Sequence, residues 1–114
     1  MKISFLHSYL VPPIFEEQLQ DVCALLQSNI TLSVKVRGFP EPEMQWKKNG
    51  VAIKKSKKCS IHQAGPVTTL KIDKVTLDDE DTYSVVAKNC SGEAVSSCKL
   101  TIQGKENDYP FLSW

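Results

Sequence analysis

The sequence predicts an all-β chain folded as a two-sheet antiparallel sandwich. Three observations carry this prediction. Short segments alternate apolar and polar residues with a period of two. Gly, Pro and Asn turn signals separate those segments at short intervals. No segment of helix length carries a 3.6-residue period.

The elements follow in order. Pro12-Pro13 cannot donate ladder hydrogen bonds and marks the start of the domain. Ile14, Phe15, Leu19, Val22 and Ala24 form a first edge strand broken in its middle. In NITLSVKVRG, Ile30, Leu32, Val34 and Val36 face one way while Thr31, Ser33, Lys35 and Arg37 face the other, the pattern of a half-buried antiparallel strand. GFPEP is a turn. EMQWKKNG turns Met44 and Trp46 inward and ends in the hairpin pair Asn49-Gly50. Val51 and Ile53 give a short strand, and Cys59 and Ile61 begin another that Gly65-Pro66 closes. TTLKIDKVTL supplies Leu70, Ile72, Val75 and Leu77. DTYSVVAKN points Tyr83, Val85 and Ala87 inward, NCSG turns, and a last strand carries Cys98, Leu100 and Ile102.

A chain of 114 residues is enough for one domain with a modest core. Its 41% hydrophobic and 24% charged residues are an ordinary globular balance. The net charge of +1 gives no whole-chain field toward nucleic acid or an anionic membrane. No apolar run approaches the roughly 20 residues of a membrane span. The start, MKISFLHSYLV, loosely has the form of a signal peptide, but His7 interrupts the run and no small-x-small cleavage site precedes Pro12. It reads as a leader from a longer chain, or as an ordered or frayed extension before the domain.

The pattern Leu70-x-Ile72-x-x-Val75-x-x-x-Asp79-x-Asp81-x-Tyr83-x-Val85-x-Ala87-x-Asn89-x-x-Gly92, followed by Leu100-x-Ile102, resembles the second half of an immunoglobulin domain of the I-set type. ITLSVKVRGFPEPEMQWKKNG is similar to the B strand, B–C turn and C strand of the same family, with Trp46 as the core tryptophan. Trp46 falls twelve residues after Val34, and Val85 fifty-one after it, the spacing of the Cys…Trp…Cys signature. The resemblance places an immunoglobulin-like domain at residues 13–103, a leader or linker at 1–12 and a tail or linker at 104–114. It implies a core of Val34, Trp46, Leu70, Ile72, Tyr83 and Val85, with Tyr83 forming a tyrosine corner near Asp79 and Asp81.

Three departures from the family pattern stand out. Valines occupy both cysteine positions of the B–F bridge, Asp81 replaces a glycine before the tyrosine corner, and Gln27 stands where a turn glycine usually opens the B strand. A B–F disulfide would close a loop of about 50 residues and contribute roughly 4 kcal/mol. Two buried valines contribute about 1.5–3 kcal/mol each without oxidation. Such a core suits a reducing compartment. The domain therefore resembles those of giant cytoskeletal and sarcomeric proteins: titin, obscurin, myomesin, the myosin-binding proteins and the palladin–myopalladin group.

Four cysteines remain. Parity turns Cys59 and Cys98 toward the core and Cys23 outward, and Cys90 lies in a turn, so they read as small hydrophobes and not as a disulfide framework. Cys59-x-x-His62 puts its two candidate zinc ligands on opposite faces of a strand. The Asn29-Ile30-Thr31 and Asn89-Cys90-Ser91 sequons are coincidental in a cytosolic protein. The family's turn asparagine at position 89 is explained by tolerance of a left-handed backbone. Lys54, Lys55, Lys57 and Lys58, with Lys47 and Lys48 before them, read as an edge strand protected by lysine and as a candidate interaction edge. No aromatic residues interleave with them as single-stranded nucleic acid would require. LDDEDT reads as a solvated acidic corner. No nucleophile–base–acid set is present.

These readings imply a non-enzymatic structural and protein-interaction module of a larger cytoplasmic cytoskeletal or sarcomeric protein. Its partners would be cytoskeletal proteins or neighbouring immunoglobulin domains, with no cofactor, metal, nucleic acid or membrane. The apolar flanks (Phe5, Leu6, Tyr9 and Leu10 before the domain, Tyr109, Phe111, Leu112 and Trp114 after it) point to packing on the sandwich or strand-edge self-association, the alternative being disordered tails. The alternatives are an extracellular recognition domain of an adhesion protein or receptor, and an accessory domain beside a kinase.

Overall fold

The structure, a computed structural model, describes residues 9–104. Nine strands and one short 3₁₀ turn follow in order. These are β1 (Val11–Glu17), β2 (Val22–Leu25), β3 (Ile30–Phe39), β4 (Glu43–Lys48), β5 (Val51–Ala52), β6 (Cys59–Ala64), β7 (Val67–Ile72), the 3₁₀ turn Leu77–Asp79, β8 (Asp81–Asn89) and β9 (Gly92–Gln103). They form a four-stranded sheet in the order β1-β3-β7-β6 and a five-stranded sheet in the order β2-β9-β8-β4-β5. Every ladder is antiparallel except one: β2 runs parallel to β9, with Val22 opposite Leu100 and Leu25 opposite Gln103.

The expected break in the first edge strand is where the chain changes sheets. β1 pairs with β3, and β2 pairs with β9. Between them Leu19 is buried and its N–H donates to the Ser96 hydroxyl at 3.0 Å, while Asp21 accepts from the Lys99 N–H at 2.8 Å. Strand pairing begins earlier than position 13, because Val11 is already opposite Phe39, and Pro12-Pro13 occupy an irregularity in that register. The other flank residues, 1–8 and 105–114, lie outside the described residues. So the expected packing of Phe5, Leu6, Tyr109, Phe111, Leu112 and Trp114 lies outside them too. Tyr9 and Leu10 are exposed.

Period-two alternation built the core. β3 buries Ile30, Leu32, Val34 and Val36; β7 buries Leu70 and Ile72; β8 buries Tyr83, Val85 and Ala87; β9 buries Cys98, Leu100 and Ile102. Val34, Leu70, Ile72 and Val85 have no exposed surface, and Tyr83 and Trp46 are 1% and 2% exposed. All six belong to one cluster. The two turns read from the sequence close hairpins. Asn49 (φ 50°) and Gly50 (φ 78°) both adopt positive φ between β4 and β5, as a type I′ turn requires. Leu77 is an exception to the apolar pattern: it sits on the 3₁₀ turn and is exposed.

Within the core, a side-chain hydrogen bond spans the two sheets. The Trp46 indole N–H on β4 donates to the Thr68 hydroxyl on β7 at 3.0 Å. Thr68 is 1% exposed and lies opposite Val34. A buried indole N–H without a partner would cost about 1–3 kcal/mol, so Thr68 is the residue that lets tryptophan occupy this core. Its parity with Leu70 and Ile72 was the available sequence signal for burial.

Candidate functional site

Two poles and one face organise the surface. At the first pole the side chain of Asn89 joins three segments. Its amide nitrogen donates to Val11 O at 2.8 Å and to Pro40 O at 2.9 Å, and its Oδ1 accepts from the N–H groups of Ser91 at 2.9 Å and Gly92 at 3.2 Å. Asn89 is therefore a hydrogen-bonding hub at the end of β8. It is not among the residues with positive φ, so a left-handed backbone does not explain it. Gly38 and Gly92 allow this close packing: a Cβ on Gly38 would lie 2.8 Å from the Pro42 ring, and one on Gly92 3.1 Å from Pro12.

At the opposite pole lies the tyrosine corner. The Tyr83 hydroxyl donates to Asp79 O at 2.6 Å. Burial, followed by the Asp79 charge, pushes the Tyr83 phenol well above its usual range. Asp79 belongs to LDDEDT but is not solvated; it is 7% exposed. Its carboxylate accepts from the Thr76 N–H at 2.8 Å, completing a capping box, and pairs with the Lys58 ammonium at 2.7 Å. Burial opposes ionisation of Asp79. The Lys58 hydrogen bond, the Thr76 N–H and the charges of Lys58 and Lys48 outweigh it and hold the carboxyl below the ordinary aspartate range. Lys48 donates to Asp78 O at 2.6 Å, and Glu80 accepts from the Ile102 N–H at 2.9 Å.

The lysine run is not an edge strand. β5 ends after two residues, and residues 53–58 cross from the edge of the five-stranded sheet to β6 at the edge of the other. Lys54, Lys55 and Lys57 are exposed along this crossover. Lys58 is not free, because its ammonium is held by Asp79 and the Thr76 hydroxyl. The crossover runs onto a face whose acids are confined to β1, where Glu17 stands opposite Lys35. The outer face of the four-stranded sheet carries Thr31, Ser33, Lys35 and Arg37 on β3, Thr69 and Lys71 on β7, and Ser60 and His62 on β6. No Asp or Glu occurs in β3, β6 or β7.

The thiols lie where parity put them. Cys23 and Cys90 are exposed, Cys59 is half-buried against the core, Cys98 is buried, and all four are free. Burial raises the Cys98 thiol, aided by Asp21; burial and then Asp79 raise Cys59. Cys59 and His62 stand on opposite faces of β6, and among the described residues no cluster of His, Cys, Asp or Glu is arranged to hold a metal ion.

Two facing sheets, an inter-sheet tryptophan, a tyrosine corner and a switch of the first strand from one sheet to the other define an immunoglobulin sandwich. The chain belongs to the immunoglobulin I-set domain family, whose profile matches residues 13–102. Among curated relatives it is 41% identical over 93 residues to titin of Drosophila melanogaster, covering 82% of this chain and 0% of that protein after rounding. It is 35% identical over 97 residues to cardiac-type myosin-binding protein C of Gallus gallus, covering 85% of this chain and 8% of that protein. It is 37% identical over 84 residues to the muscle M-line assembly protein unc-89 of Caenorhabditis elegans, covering 71% and 1%. The chain thus spans less than a tenth of each of these relatives. Among solved structures, titin domain M7 superposes with a TM-score of 0.79 at 33% identity, covering 83% of this chain and 97% of that one. A chain from the complex of titin M10 with an obscurin-like 1 immunoglobulin domain superposes with a TM-score of 0.78 at 26% identity, covering 82% and 95%.

Proposed function

We propose that residues 11–103 form a non-enzymatic mechanical and protein-binding module of a larger intracellular cytoskeletal or sarcomeric protein. The observation that carries this reading is the parallel ladder between β2 and β9. The chain comes in beside the Asn89 pole, where Val11 is held, and leaves at the other pole, where Leu26 N–H donates to Gln103 O at 2.7 Å. Tension between the chain ends therefore slides β2 and β9 past each other along their length. Their hydrogen bonds take the load together instead of opening one at a time. The relatives support the same reading, being titin, a myosin-binding protein and an M-line assembly protein. The titin M10 complex supports binding between immunoglobulin domains as part of the role. A cytoplasmic setting is supported by the valine pair at the bridge positions and by Asn89, whose two amide protons are both engaged.

Single-molecule stretching of the full chain between handles tests the mechanical role. Leu26 N–H points to β9, so by alternation Ala24 N–H does too. Ala24→Pro removes that donor. The wild type should unfold in one cooperative step, and the variant at clearly lower force. An unfolding force that Ala24→Pro leaves unchanged overturns the proposal.

A further inference from the structure

The two sheets have four edges, and three of them are blunted. β1 contains Pro12-Pro13 and two register irregularities. β2 has four residues and β5 has two. The fourth, β6, has six residues, no proline, no charged side chain and an unbroken register with β7 from Cys59–Ile72 to Ala64–Val67. Lys54, Lys55, Lys57 and Lys58, expected on an edge strand, lie before β6 and do not protect it.

The free backbone groups of β6 can be located. Asp73 N–H donates to Lys58 O, and Ala64 and Val67 close the two-residue turn at Gly65-Pro66. By antiparallel alternation Ser60, His62 and Ala64 bond to β7, while Cys59, Ile61 and Gln63 point away from it. The Cys59 groups are already taken, since its N–H donates to the Ser56 hydroxyl at 3.1 Å and its carbonyl accepts from Ser56 N–H at 2.9 Å. The N–H and C=O groups of Ile61 and Gln63 have no protein partner among the described residues.

We infer that β6 is a strand-addition site for an extended acidic segment of a partner protein, with Ile61 and Gln63 supplying the backbone hydrogen bonds. Charge selects the occupant. Lys54, Lys55 and Lys57 are exposed within five residues of the start of β6. Lys71, opposite Ser60, is exposed on the same outer face, with Arg37 farther across it and Lys35 opposite Glu17 of β1. Asp73, just past β7, is offset by Lys74 beside it. An added strand that places carboxylates at alternate positions on this outer face lies beside Ser60 and His62, with Lys71 on the next strand and Lys54, Lys55 and Lys57 before the start of β6, and meets no acid of β6 or β7. A second copy of this chain would bring the same cations against them. The inference rests on the reading of the domain as a protein-binding module, and its test is independent of the stretching experiment.

The probe is an acetylated, amidated octapeptide of alternating Thr and Glu, titrated into the isotopically labelled full chain and followed by amide NMR shifts. The Ile61 and Gln63 amides should shift and gain protection from exchange. Gln63→Pro removes an outward N–H and no bond to β7, and should weaken binding about tenfold or more while leaving the fold intact. The triple change Lys54→Gln, Lys55→Gln, Lys57→Gln should weaken binding several-fold, as should higher salt. Unmoved 60–64 amides, equal binding of a Thr/Lys octapeptide, or unaltered binding by Gln63→Pro overturns the proposal. So does concentration-dependent self-association through β6 without peptide. Loss of peptide binding with a normal unfolding force would leave the mechanical role standing. A low force with intact binding would do the reverse.

Discussion

Replacing Asn89 by Ala removes four hydrogen bonds at once: two donated to Val11 O and Pro40 O, two accepted from Ser91 and Gly92. Each is worth about 0.5–1.5 kcal/mol net. The site is half-exposed, so water recovers part of the loss at the turn N–H groups. The expected destabilisation is about 2–3 kcal/mol, or a fall in Tm of roughly 10–20 °C for a domain of this size. Thermal unfolding of the full chain followed by far-UV circular dichroism reads this directly. Asn89→Asp separates the two halves of the hub. It keeps an acceptor for Ser91 and Gly92 but sets a carboxylate oxygen against two carbonyls. Its destabilisation should therefore shrink as pH falls and the new carboxyl protonates. A Tm within about 2 °C of wild type for Asn89→Ala would refute the reasoning, since it falls below the loss of even one such bond. The geometry also bears on the Asn89 sequon, because attaching a sugar replaces one of two amide protons that both hold carbonyls.

Asp79 has a depressed carboxyl pKa, so its contribution to stability is full above the ordinary aspartate value of about 3.9 and is lost as pH falls through the lower folded value. Lys58→Met should destabilise the domain by about 1–2 kcal/mol at pH 7, discounted for the partial exposure of Lys58, and shrink that acid dependence. Urea titrations from pH 2 to 7 check both. Gln27 adopts φ 69°, so Gln27→Gly should raise stability by about 0.5–1 kcal/mol, relief of left-handed strain exceeding the entropy cost of glycine; denaturant midpoints read the sign. With an aromatic disulfide reagent, Cys23 and Cys90 should react in the folded state, and Cys98 only after unfolding. Reductant should leave the Tm unchanged. A Tm that drops in dithiothreitol would show a disulfide.

The strands were legible because a buried face writes itself every second residue. Ile30 to Val36 and Tyr83 to Ala87 declare their inward sides without help from the rest of the chain. Asn49-Gly50 and Gly65-Pro66 announced their turns by local backbone preference. Asn89 reads as a turn residue in the sequence, but its role as a hydrogen-bonding hub does not show there, because its amide partners lie 78 and 49 residues away. Asp79 and Lys58 fell into stretches that looked uniformly charged, and only folding sets them 2.7 Å apart. The lysine run suggested a strand edge, yet its neighbour β6, unremarkable in composition, holds that edge. Charge density was visible in the sequence; which backbone groups remain unpaired was not.

The valines at 34 and 85 also fix how far this domain can stretch once it gives way. A covalent bridge there would withhold the roughly 50 residues between them from any extension. With valines, every residue from Val11 to Gln103 is released when the sandwich opens. At about 3.3–3.6 Å per residue, the freed chain reaches roughly 300 Å, against less than half of that for a bridged equivalent. Refolding from such lengths must retrieve the β3–β8 contact with no tether to shorten the search. The same substitution that frees the core from oxidation makes each opening a longer increment of slack.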